Sequence, residues 1–113
     1  MITMSEKIIK GSGNIFKDIG VSDPERTLIR SQVMSRITEI IKERGLNQVK
    51  AGKILNLTQS KVSNLMNGKL SVFSLEHLFK LLTALQWNVE IIIKPKSKTE
   101  TKATTSVLLA IQP

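Results

Sequence analysis

The 113-residue chain has no cysteine, no tyrosine, one histidine and one tryptophan. Without cysteine there is no disulfide framework, no thiolate metal site and no thiol nucleophile. The lone histidine, His77, stands without clustered carboxylates or a glycine-rich phosphate loop, which leaves almost nothing to run chemistry. The sequence therefore predicts neither an enzyme nor a metal- or cofactor-binding protein, and His77 reads as an exposed surface residue. No apolar run approaches the roughly 18 residues of a membrane span, and no signal-peptide core follows Lys7 and Lys10. The expected location is the reducing cytoplasm. Aromatic residues make up only 4% of the chain, so the stacking platforms of single-stranded RNA readers are not to be expected.

Acid is the other scarcity, and it is unevenly distributed. The 17 Lys and Arg outnumber the 9 Asp and Glu, leaving +8. Residues 46–73 carry Lys50, Lys53, Lys61 and Lys69 with no acid, so half of the net charge lies in a quarter of the chain. A densely negative partner such as nucleic acid would be drawn to that stretch first. The 41% hydrophobic content supports a folded core, and the length suits one domain.

Read in order, the chain divides into an arm at 1–21, a folded domain at 22–95 and a flexible tail at 96–113. The arm holds Gly-Ser-Gly at 11–13 and an apolar group of Ile15, Phe16 and Ile19. Asp23-Pro24-Glu25 then has the form of a helix start, with Asp23 as the cap. Ile29, Val33, Ile37, Ile40 and Ile41 recur at helical spacing up to Gly45, which predicts a first helix over 24–44. Asn47 caps a short second helix to Leu55, and Asn56 takes a left-handed turn position. Thr58 caps a third helix stapled by Leu57 and Val62 and ending at Asn67-Gly68. Ser74 caps a fourth, stapled by Phe73 and Leu78, with Leu75, Leu78, Phe79, Leu82 and Leu85 as its core face. Trp87 is expected to pack where that helix hands over to the next element, or at a dimer contact. The β-branched run Val89-Glu90-Ile91-Ile92-Ile93-Lys94, stopped by Pro95, reads as a strand. The tail contains an apolar terminus, Val107 to Ile111, with no predicted place.

Helices two and three have the layout of a helix-turn-helix. Gly52 sits mid-helix at a cost of about 1 kcal/mol relative to Ala, which suits a close approach of two helix backbones. Turning Val62, Leu65 and Met66 inward sets Ser60, Ser63, Asn64 and Asn67 outward, a face of small and amide groups fit for base edges in a major groove. The segment Leu46–Lys69, LNQVKAGKILNLTQSKVSNLMNGK, resembles the phage-repressor (XRE-type, Cro-like) helix-turn-helix. GNIFKDIG at 13–20 and FSLEHLFKLLTALQWNVEIIIKP at 73–95 are similar to HigA-like antitoxins. Two positions depart from the pattern: Gly52 stands where Ala is usual and Asn56 where Gly is usual.

The resemblance implies a mainly α, phage-repressor-like domain of four to five helices with a terminal β-strand. It implies that Gln59, Ser60 and Asn64 read bases, and that Gln48 meets a phosphate and braces Gln59. Lys61 and Lys69 suit phosphates, and Thr58, Ser63 and Asn67 join them as backbone contacts. Lys50 and Lys53 read as solubilising, Met34 and Met66 as core. Lacking an obvious second strand, Val89 to Lys94 is expected to pair antiparallel with its copy in a homodimer, with Glu90 facing Lys94 about a dyad at Ile92. The alternative is pairing with the segment around Ile8-Ile9. The function so implied is a dimeric repressor on a palindromic double-stranded operator, and the autoregulating antitoxin of a toxin–antitoxin pair whose toxin is a small ribonuclease. A stand-alone repressor, or a module that chiefly masks a toxin, are the alternatives.

Overall fold

The computed structural model describes residues 2–4, 22–96 and 98, and of residues 2–4 and Ile93 only the backbone. Ile8-Ile9, the apolar group at 15–19 and the apolar terminus at 107–111 lie outside the described residues. The elements in order are β1 (Ile2–Met4), α1 (Asp23–Glu43), α2 (Gln48–Leu55), α3 (Gln59–Met66), a 3₁₀ turn (Leu70–Val72), α4 (Leu75–Ala84) and β2 (Ile91–Ile93). The fold is mainly helical, and among the described residues no helix is long and apolar enough to cross a membrane.

Each helix start follows its capping chemistry. The side chains of Asn47, Thr58 and Ser74 accept hydrogen bonds from the backbone N–H groups of Lys50, Lys61 and His77, at 2.8, 3.2 and 3.1 Å. For α1 the cap is Ser22, not Asp23: its Oγ accepts from Glu25 N at 3.4 Å, and Asp23 enters the helix. Asp23 is one residue nearer the helix because its carboxylate serves there as the first-turn acid and pairs with Arg26 at 3.5 Å. The helix ends share one device, a left-handed residue just past the last turn: Gly45 (φ 64°), Asn56 (φ 55°), Gly68 (φ 73°) and Gln86 (φ 69°). Around each, the next N–H reaches back to a helix carbonyl, as Trp87 N does to Leu82 O at 3.0 Å.

The core is one contiguous apolar cluster. α1 contributes Ile29, Val33, Met34, Ile37, Ile40 and Ile41, and packs chiefly against α4. The remaining members are Ala51, Leu55, Val62, Leu65, Phe73, Leu75, Leu78, Leu81, Leu82 and Leu85, and among the described residues no polar or charged residue is buried. On α4 the sequence expectation needs one exchange: Leu81 is buried and Phe79 only half-buried, because the helix meets α1 on the Leu78–Leu81 side. Met66 is likewise half-buried. Side chains on α1 then tie down the segments that follow. Arg30 Nη1 donates to the carbonyls of Leu70 and Phe73 at 3.2 and 3.4 Å, fixing the 3₁₀ turn that periodicity did not predict. Arg44 donates to the Leu85 carbonyl, and the Arg36 guanidinium lies 4.7 Å from the Trp87 ring centroid. Trp87 does pack at the exit of α4, half-buried.

The expectation that the terminal strand lacks a partner within its own chain does not hold. β2 spans only Ile91–Ile93, and β1 lies parallel beside it in the register Ile2 to Ile91, Thr3 to Ile92 and Met4 to Ile93. A three-residue strand leaves few backbone groups to satisfy, so a segment as short as Ile2–Met4 suffices for one edge. Among the described residues the sheet has two strands, and none of those residues pairs with the second edge of β2.

Candidate nucleic-acid interface

The interface is built on the α2–turn–α3 unit. Asn56 leaves α2 in the left-handed region, its N–H and that of Leu57 both returning to the Gly52 carbonyl. The chain therefore folds back directly over Gly52. A Cβ at that position would lie 2.8 Å from the Leu57 carbonyl oxygen and 3.5 Å from Val62 Cγ2. Gly52 is thus required by the turn's own carbonyl rather than by the backbone of α3, which corrects the expected cause while keeping the close approach. Val62 and Leu65, fully buried, seat α3 on the core.

With that face fixed, the opposite face is set by helical geometry. Gln59, Ser60 and Asn67 are exposed, and Ser63 and Asn64 are half-buried. The Asn67 amide donates to Ser63 Oγ at 3.3 Å, holding these two residues together at the end of the helix. Gln59 lies at the side of the wheel and protrudes because it is the first residue of α3. Thr58 uses a lone pair on Lys61 N–H, which leaves its hydroxyl proton for an outside acceptor. Gln48 and Gln59 line a single open notch between the starts of α2 and α3, with Lys53 and Asn56 on its walls. This brings together two glutamines eleven positions apart, and it adds Lys53, which had read as merely solubilising. No helical spacing signals its place, since a residue five on from Gln48 lies about 140° round the helix; the fold of the Asn56 turn brings it to the notch.

The lysines divide by environment. Lys50, Lys53 and Lys69 are exposed, and among the described residues none of the segment's four lysines forms an ion pair. Lys61 is half-buried, with its Nζ 5.5 Å from the centroid of the Phe73 ring. The same ring is met by His77, at 5.4 Å between centroids and tilted by 39°. His77 is half-buried, not exposed as its polar character suggested. Its burial, followed by repulsion from Lys61 and Lys80, holds the imidazole below its ordinary pKa.

The second candidate surface is the strand. Val89 and Ile91 are half-buried, Glu90 and Lys94 are exposed, and Ile92 leaves 67% of its surface to solvent.

Residues 15–94 match a family described as a helix-turn-helix domain. A solved structure of a candidate XRE-family transcriptional regulator is similar over 79% of this chain and all of its own, with 36% identity and a TM-score of 0.76. No curated protein matches the chain.

Proposed function

Because the chain belongs to the XRE-type helix-turn-helix family, we propose that it is a dimeric, sequence-specific repressor and the autoregulating antitoxin of a toxin–antitoxin pair. The family is one of DNA-binding regulators, not of enzymes. The observation that carries the DNA-reading role is the acid-free outward face of α3. Gln59, Ser60 and Asn64 offer amide and hydroxyl groups to base edges in a major groove, where paired donors and acceptors discriminate sequence. Gln48, Thr58, Lys61, Ser63, Asn67 and Lys69 surround that face as phosphate contacts, the part of affinity that is blind to sequence.

Dimerisation completes the mechanism, because two recognition helices reach successive major grooves only when a dyad relates them. The second edge of β2, which no described residue pairs, and the exposed Ile92 support pairing with a second copy. An antiparallel β2–β2 contact about Ile92 extends each two-stranded sheet into one of four strands and sets Glu90 of each chain against Lys94 of the other. Glu90→Lys should place like charges there and weaken the dimer at low salt, as sedimentation velocity would register. A variant as dimeric as the wild type removes this dyad.

The antitoxin role is supported by the resemblance of residues 13–20 and 73–95 to HigA-like antitoxins. Footprinting on the DNA upstream of its own gene, with and without the product of an adjacent small gene, tests both roles. Protection of a palindrome that strengthens or changes with the neighbour's product is expected. No protection ends the repressor reading, and a neighbour that does not co-purify ends the antitoxin reading. Within a protected site, Gln59→Ala should cost about 1–3 kcal/mol and relax one base position, while Lys69→Ala should weaken all sequences and lower the salt slope by about 1. Equal losses on specific and random DNA in both variants would refute that division.

A further inference from the structure

Beside the base-reading face, three basic side chains from two helices gather, and among the described residues none of them forms an ion pair. Lys61 of α3 and His77 of α4 both lie against the Phe73 ring, at 5.5 and 5.4 Å, and Lys80 stands one turn beyond His77 on the same helix. Lys61 and Lys80 are both near enough to repel the imidazolium form. The other charged groups near His77 are engaged elsewhere or unpaired with it. Arg30, from α1, is directed at the carbonyls of Leu70 and Phe73. Glu76 precedes His77 in α4, and its Oε1 is buried without a hydrogen-bond partner.

Gathering like charges has a cost that an anion removes. Lys61 also lies in the first turn of α3, next to Gln59 and Ser60. An anion bound to DNA-facing Lys61 therefore comes within reach of the α4 side chains as well. We propose that Lys61, His77 and Lys80 form a backbone-phosphate site lateral to the recognition helix, in which His77 takes up a proton when duplex DNA binds. The proposal rests on the DNA-binding reading above.

The sign follows from the two states. In the free protein burial and the two lysines favour neutral imidazole; a phosphate beside it favours the imidazolium. Affinity then gains below the raised pKa of the complex and loses that gain as the pH rises through it. Because His77 is the chain's single histidine, its ring protons report the titration without overlap.

The experiment is an NMR titration of His77 in the full chain, alone and with a short random-sequence duplex at low salt, since a phosphate site is indifferent to sequence. The expected result is an upward move of about one pKa unit on adding duplex, equivalent to a roughly tenfold change in affinity between the two plateaus. His77→Gln should bind the duplex with a flatter pH dependence, and Lys80→Gln should lower the salt slope by about 1. If the wild type binds and the two His77 curves overlay, this site is refuted while DNA binding stands. If the wild type does not bind the duplex at all, the DNA-binding reading falls and the site with it.

Discussion

Phe73→Ala should remove about 3–5 kcal/mol of folding stability, the range found when a large buried ring is truncated. Phe73 is 1% exposed and stands where three elements meet. Its carbonyl accepts from Arg30 of α1, its N–H closes the 3₁₀ turn onto Leu70, and its ring supports Lys61 of α3 and His77 of α4. Truncation leaves a cavity beneath the recognition helix that none of these neighbours can fill without leaving its own position. Small domains are stable by only about 5–15 kcal/mol, so a loss of this size reduces a large part of the total. Urea denaturation should show the midpoint falling sharply with little change in slope, and Phe73→Leu should retain most of the stability. A loss under about 1 kcal/mol would mean that the ring is not the packing centre described.

Gly52→Val should be the second large effect, at about 3 kcal/mol. The added Cβ meets a carbonyl oxygen of the turn at 2.8 Å, and backbone cannot swing aside as a long side chain can. Relief requires moving the turn, and with it α3. Helix propensity works the other way, since any residue but proline improves on glycine inside a helix, by at most about 1 kcal/mol for alanine. Steric displacement therefore wins for valine, and Gly52→Ala should fall between valine and wild type. Thermal unfolding gives the stability, and binding to the footprinted operator gives the consequence for the reading face. A valine variant as stable as the parent would show that the turn has room the geometry denies it.

These two positions also show how far the residues alone lead. The four helices, their polar caps at Asn47, Thr58 and Ser74, and the inward Val62 and Leu65 were legible, because capping and helical periodicity are local properties. The glycine at 52 was legible as a close approach, but what approached it was not, since that depends on how the Asn56 turn folds back. Ser22 rather than Asp23 caps α1 because two adjacent residues both suit the position, and sequence gives no means of choosing between them. The partner of β2 comes from the other end of the chain, a contact that no periodicity records. The same holds for the candidate site. Ser60, Ser63, Asn64 and Asn67 share a helix face and were grouped by spacing, whereas Gln59 joined the base-reading set through the family resemblance. Lys61, Phe73 and His77 come together only through the packing of α4 beside α3.

The central claim is that α3 reads double-stranded DNA from a two-fold dimer. Selection from a library of random duplexes with the full chain, followed by sequencing of the bound fraction, tests it most directly. Enrichment of an inverted repeat is expected, with half-sites centred about 10 base pairs, or a further whole helical turn, apart. Gln59→Ala should relax one position in each half-site while leaving the spacing unchanged. A bound fraction as random as the starting library, or an enriched site that Gln59→Ala, Ser60→Ala and Asn64→Ala all leave unaltered, would contradict that claim.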